Sequence, residues 1–290
     1  MADKGPLLEN DATVGGSITR LSKLLEGKSD SARLDAQVLV AHILERERAW
    51  LLAHPEVALS TDQQRELNTA VEKLLDGVPL PYVLGEWEFY QLPFFVNPHV
   101  LIPRPETELL VDLALEWLRG SAEKRTVLDI GTGSGCIATA IAVNYPRATT
   151  LAGDISTAAL KTAQANVARH GVQENVNLIQ MNLMDGIPGR FDVLVANLPY
   201  IPTGTLDGLA VSTHEPLEAL DGGLDGLDII RRMLAAAPGS IKPGGVLLAE
   251  LEHRQGAVAA DLARAHFPDS EISILPDLAG KDRILRIDTR

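Results

Sequence analysis

An asparagine side chain carries one oxygen that accepts hydrogen bonds, and a proline two positions on constrains the residue between them. Both occur in ANLPYIP, Ala196 to Pro202, where the apolar run FDVLVA stops at Asn197, Leu198, Pro199 and Tyr200. Proline fixes its own φ at about −65° and confines the preceding residue to extended conformations, so the carbonyl of Leu198 is held in one direction. The side-chain oxygen of Asn197 and that carbonyl form a pair of acceptors suited to both N–H bonds of one NH₂ group. Such a pair turns the nitrogen towards a pyramidal geometry and localises a lone pair otherwise spread into an amide or aromatic π-system. The Tyr200 ring can lie over the planar group so held. A proline turn closing a strand would explain Pro199, but not the amide and the phenol beside it. On this reading Leu198 matters through its carbonyl and not through its side chain.

VLDIGTGSGCIATAIA places Gly131, Gly133 and Gly135, with Thr132 and Ser134 between them, after an apolar strand and before an apolar helix; Asp129 lies two residues ahead of the first glycine. Glycines there let the backbone turn tightly and approach a ligand. The next strand, TTLAGDI, ends at Asp154, where a carboxylate can accept from both hydroxyls of a ribose, so the expected ligand carries a nucleoside. Layout alone leaves nicotinamide, flavin and S-adenosylmethionine open. The spacing is GxGxG preceded by DI, unlike the dinucleotide GxGxxG, and no phosphate-binding device is evident. DxGxGxG followed by an acid after the second strand resembles motifs I and II of the class I methyltransferases. That resemblance implies S-adenosyl-L-methionine as cofactor and puts the turn in MNLMD, at Asn182 and Leu183, beside the adenine; Asn182 reads equally well as a turn former capping a strand.

The elements that must position these residues follow from periodicity. SITRLSKLLEG spaces Ile18, Leu21 and Leu25 as a helix with Ser17 as N-cap and Gly27 as stop, and SARLDAQVLVAHILE repeats the pattern through Leu34, Val38 and Ala41. In STDQQRELNTAVEKLLDG, Ser60 and Gln63 match a capping box ahead of Leu67, Val71, Leu74 and Leu75. The polar start before Ser17 is expected to be disordered. Residues 1–80 thus read as a helical bundle, a packing or partner-docking module that by itself names no chemistry, and 81–100 as a proline- and aromatic-rich β-hairpin linker. In 101–290 strands and helices alternate, predicting an α/β domain with a mostly parallel, doubly wound sheet. EISILPD and GKDRILRID, joined by a short connection, predict an antiparallel C-terminal hairpin at one edge.

A chain of 290 residues, 46% hydrophobic and 22% charged, has material for one large domain and a smaller one. It contains no apolar run long enough to span a bilayer, and MADKGPLLENDATVGG lacks the basic start and apolar middle of a signal peptide, so a cytoplasmic location without membrane attachment is expected. The single cysteine, Cys136, excludes an internal disulfide and a thiolate-rich metal site, and the seven histidines show no HExxH-like spacing; no metal is expected. A net charge of −13 opposes capture of a phosphate backbone, so no direct nucleic-acid partner is expected, whereas a small molecule or a basic protein partner suits it. The same charge also serves simply to keep a protein soluble.

LGEWEFYQLPFFVNPHVLIPRPETELLV, the glycine turn, NLPYIP, EPLEALDGGLDGLDIIRRM and LAGKDR together resemble the HemK/PrmC family, protein-(glutamine-N5) methyltransferases acting on peptide-chain release factors. The resemblance implies a Rossmann-like class I methyltransferase sheet, S-adenosyl-L-homocysteine as product, and as substrate the glutamine of the release factors' GGQ motif, held by Asn197, Leu198, Pro199 and Tyr200. It also puts IPRPETE on the same cleft through Arg104, Pro105 and Glu106, although Arg104 and Glu106 read as well as an ion pair beneath it. Leu198 stands where the family has the first proline of NPPY, and Glu252 where its EIG has glycine. NLPY also occurs in adenine-N6 methyltransferases of ribosomal RNA, which keeps a nucleic-acid enzyme open beside a ribosomal-protein glutamine methyltransferase and an inactive cofactor-binding protein.

Overall fold

The computed structural model describes residues 13–120 and 123–290. They fall into two compact units that divide between Gly85 and Glu86.

The first unit holds helices α1 (Val14–Leu25), α2 (Ala32–Leu44), α3 (Arg48–Ala53), α4 (Thr61–Leu75) and α5 (Leu80–Leu84) around a core that includes Leu21, Leu39, Leu51 and Leu67. Of the start expected to be disordered, residues 1–12 lie outside the described residues, while 13–16 belong to the first helix and its cap. That helix begins three residues before the expected Ser17. Thr13 is the N-cap, its side chain accepting from the Gly16 N–H, and Ser17 is buried within the helix. The early start is possible because the N–H groups of Val14 and Gly15 donate to the carbonyls of Val57 and Pro55, which satisfies donors that a helix end otherwise leaves open. In α2 the buried stripe is Ala36, Leu39, Val40 and Ile43, one step round from the expected one, and Leu34 is exposed. In α4 the Ser60–Gln63 capping box forms in both directions.

The second unit opens with a hairpin, β1 (Glu86–Phe89) and β2 (Leu92–Phe95). Its turn residues Tyr90 and Gln91 both have positive φ, 53° and 59°, as two-residue hairpin turns demand but side chains resist. Helix α6 (Glu108–Arg119) holds that shape: the Tyr90 N–H donates to Glu108 and its hydroxyl to Asp112, both at 2.7 Å.

Then come β3 (Arg125–Ile130), α7 (Cys136–Asn144), β4 (Ala148–Asp154), α8 (Thr157–Arg169), β5 (Val176–Gln180), β6 (Phe191–Ala196), α9 (Thr203–Leu206), α10 (Asp228–Ala236), β7 (Ile241–Glu250), α11 (Gly256–His266), β8 (Glu271–Pro276) and β9 (Asp282–Asp288). The sheet order is β5-β4-β3-β6-β7-β9-β8, parallel through the first five strands and antiparallel at β9 and β8. The C-terminal hairpin thus forms the expected edge, with the last strand inside it. Helices cover both faces, which lets β3, β6 and β7 carry the continuous apolar runs of buried strands. The order reverses at β3, between β4 and β6, and the carboxyl ends of those strands are where a sheet of this kind leaves a crevice.

Candidate functional site

At the end of β3 the chain turns through Gly131, Gly133 and Gly135, all with positive φ. At two of these positions a side chain would be crowded as well. A Cβ on Gly131 would stand 2.9 Å from Cδ2 of Leu198, and one on Gly135 would meet Ala163 of α8 at 3.0 Å. The N–H groups of Gly131 and Thr132 donate to the carbonyl of Gly153, tying the turn to β4. Asp154 closes that strand: one carboxylate oxygen accepts from the Gly133 N–H at 2.8 Å, the other from the Ser156 N–H at 2.9 Å. Each oxygen keeps a lone pair for a ligand. Burial raises its pKa, and the backbone N–H groups oppose that.

Asn166 of α8, fully buried, was not anticipated. Its amide donates to the Ser134 carbonyl at 2.8 Å and to the Phe95 carbonyl, and accepts from the Phe95 N–H. The available signal was an amide set among Ala159, Ala163 and Val167 on the buried face of that helix.

Asp129 lies beneath the turn. One of its oxygens accepts from the Thr132 hydroxyl at 2.6 Å, while the other is buried without a partner. Burial pushes its carboxyl from an ordinary value near 3.8 up to about 7. The acid is therefore protonated in the folded chain at pH values where it is ionised in the unfolded chain. Its contribution to stability is complete below pH 4 and is lost as pH rises through about 7, on the order of 4 kcal/mol at most. Asp129→Asn, neutral throughout and still able to accept from Thr132, flattens the fall in unfolding free energy between pH 5 and pH 8, as urea denaturation at a series of pH values will measure. An unchanged slope would mean that Asp129 is not the group responsible.

The turn after β5 brings Asn182 and Leu183 to the same cleft; Asn182 accepts from Arg232 at 3.0 Å, and Leu183 adopts a φ of 53°.

β6 delivers the corner. Asn197 donates its amide N–H to the Thr107 hydroxyl at 2.9 Å, Thr107 donates to Oε2 of Glu250 at 2.7 Å, and the Tyr200 hydroxyl donates to Oε1 of Glu250 at 3.2 Å. Burial raises the Glu250 pKa against the Thr107 hydrogen bond and the charge of Arg283. Gln255 fixes the backbone, donating to the Tyr200 carbonyl at 2.9 Å and accepting from the N–H of Glu252. Thr107 lies in the IPRPETE segment expected at this cleft and lines it, but nothing local to Thr107, Glu250 or Gln255 indicates its partner. Leu198 departs from expectation as well: its side chain is buried and packs over Gly131.

Gly131–Ser134, Asp154, Asn182, Leu183, Asn197, Leu198, Pro199 and Arg104 all line one cleft of about 780 Å³. Asp129, Gly135, Tyr200, Pro105 and Glu106 do not line it; Asp129 is fully buried beneath the turn. Arg104 pairs with the buried Glu215, which also accepts from the Ile102 N–H, and not with Glu106, which is exposed. Glu215 wins because it sits within reach from a distant loop, where Glu106 turns to solvent. Among the described residues no helix is long and apolar enough to cross a membrane, and no group of three or more side chains is arranged to hold a metal ion.

Residues 18–85 match the family model of the PrmC N-terminal domain, and residues 107–212 that of the methyltransferase small domain. A release factor glutamine methyltransferase of Moorella thermoacetica is 43% identical over 263 residues, 90% of this chain and 93% of that protein. One of Coxiella burnetii is 40% identical over 266 residues, 91% of this chain and 95% of that protein. Among solved structures, the T. thermophilus 16S rRNA N2 G1207 methyltransferase in complex with AdoMet and guanosine shares the fold, with a TM-score of 0.52 at 17% identity over 71% of this chain and 50% of that one.

Proposed function

The chain belongs to the release factor glutamine methyltransferases, and from that premise we propose that it transfers a methyl group from S-adenosyl-L-methionine to the side-chain amide nitrogen, N5, of the glutamine in the GGQ motif of peptide-chain release factors, leaving S-adenosyl-L-homocysteine. One observation carries the reading: the glycine turn, the Asp154 carboxylate and the Asn197–Leu198 corner open on a single cleft. The residues present fit the cofactor. A Cβ built on Gly133 would meet no protein atom within 4 Å, so the turn is open there, and the acid that closes β4 keeps lone pairs free for a ribose. Asn182 and Leu183 would flank the adenine.

When bound, the cofactor supplies an electrophilic methyl carbon on a charged sulfonium. The Asn197 oxygen and the Leu198 carbonyl accept both N–H bonds of the glutamine amide, and Pro199 fixes the second of these acceptors. The nitrogen lone pair, withdrawn from resonance, is then directed along one line. No strong base is needed beside it, because a proton leaves the nitrogen after the new bond has formed. Tyr200, with its hydroxyl committed to Glu250, supports the corner from behind, on the carboxylate to which Thr107 also donates, rather than by acid–base chemistry. The helical bundle serves to dock the release factor, and the acidic surface suits a basic partner better than a nucleic acid or a membrane. Such a substrate belongs to the cytoplasm.

Incubation of the purified protein with S-adenosyl-L-methionine and a release factor, followed by peptide mass spectrometry, will find one added methyl on the GGQ glutamine. Label confined to RNA, methylation of a ribosomal protein alone, or cofactor binding without turnover would each overturn the assignment. Leu198→Pro keeps the carbonyl and supplies the proline of the related corner, so kcat is expected to stay at or above the parent value; a tenfold fall would mean that this corner is built around the leucine.

A further inference from the structure

Asn197 has two chemically opposite ends of nearly equal size, and only one of them can accept from a substrate NH₂ group. What decides between them is the neighbour on the other side of the amide, Thr107, which lines the same cleft. β6 and β7 pair in parallel with Ala196 opposite Ala249, which sets Asn197 beside Glu250. Thr107, from the turn Pro105–Thr107 ahead of α6, fills the space between the two side chains. Thr107 and Glu250 are 2% and 1% exposed, so water does not stand in for either partner.

Resting on the reading of Asn197 as an acceptor, we infer that Thr107 is a positioning residue that fixes which end of the Asn197 amide faces the substrate, with Glu250 imposing the direction. A threonine hydroxyl has one proton, and here it goes to Oε2 of Glu250. The Tyr200 hydroxyl occupies the other carboxylate oxygen, so each oxygen receives one donor. Thr107 can then only accept, and the end of Asn197 that faces it must be the NH₂. The side-chain oxygen is thereby turned away from Thr107 and left for the glutamine amide. With the amide reversed, its oxygen would face an oxygen of Thr107, and its NH₂ would confront the NH₂ of the substrate. Both contacts would be repulsive, and buried donors would go unpaired.

Valine and serine at position 107 separate this role from packing. Thr107→Val conserves shape and removes the hydroxyl; Thr107→Ser conserves the hydroxyl and removes a methyl. Direction-setting predicts a fall in kcat of about 10- to 100-fold for Thr107→Val and less than about threefold for Thr107→Ser. Calorimetric titration with S-adenosyl-L-homocysteine should show unchanged affinity in both, which also establishes that each is folded. A packing role predicts the opposite order, with Thr107→Val near the parent and Thr107→Ser impaired, and that order would overturn the inference. Asn197→Ala, assayed alongside, keeps the two levels apart. Full activity in Asn197→Ala would remove the acceptor reading itself; loss there together with a fully active Thr107→Val would remove only the role of Thr107.

Discussion

Asn197→Ala lowers kcat by about a thousandfold or more while the affinity for S-adenosyl-L-methionine changes little. A preorganised hydrogen-bonding group aimed at the reacting centre is worth roughly 10²–10³ in rate. Here the loss extends further, because Asn197 also determines where the amide sits. Without it the substrate NH₂ keeps one acceptor, the Leu198 carbonyl, and can rotate about it; misplacement of about 1 Å costs roughly another 10². The truncation also strips Thr107 of its donor and leaves a buried hydroxyl oxygen unpaired. Cofactor affinity is expected to survive because the groups proposed to hold the nucleoside, Asp154 and the glycine turn, are joined to each other and to β4 without passing through Asn197. Single-turnover kinetics with saturating cofactor, paired with calorimetric titration, will separate the two quantities. Equal loss in both would mean that Asn197 holds the cofactor rather than the substrate.

Asp154→Ala should show the complementary pattern, a rise of about 10²–10⁴ in the cofactor dissociation constant with kcat at saturation within about tenfold of the parent. Hydrogen bonds to a charged acceptor contribute about 1.5–3 kcal/mol each, and two ribose hydroxyls would lose them together. Some of the effect acts through the protein. Asp154 is the acceptor for the Gly133 and Ser156 N–H groups, so its removal also frees the middle of the glycine turn. Titration with S-adenosyl-L-homocysteine measures this directly. A variant that binds normally but turns over slowly would contradict the assignment of Asp154 to the ribose.

The glycine turn, Asp154 and the Asn197–Tyr200 corner were legible in the sequence because each is a local device, in which spacing within a few residues dictates backbone shape at the end of a strand. The alternation of strand and helix was legible for the same reason, and it brings those ends together. What the sequence did not disclose is what the side chains do with each other across the chain. Thr107 and Glu250 are 143 positions apart, and Arg104 and Glu215 are 111 apart. A carboxylate in such a pair carries no local mark, and Glu106, two residues away, offers Arg104 an ion-pair partner in the sequence where the fold supplies Glu215. The start of α1 was missed on similar grounds: its first donors are satisfied by Val57 and Pro55, far along the chain.

The contact between Leu198 and Gly131 couples what either position can become. The tip of Leu198 occupies the space that a side chain at position 131 would need, so the two positions share one volume. A φ of 74° reserves position 131 for glycine, so the whole freedom to vary falls on position 198. What that position must conserve is a carbonyl direction, not an identity. Leucine and proline both supply it, and because the contact is made by the tip of the leucine, it limits how far any side chain engineered there can reach over the glycine turn.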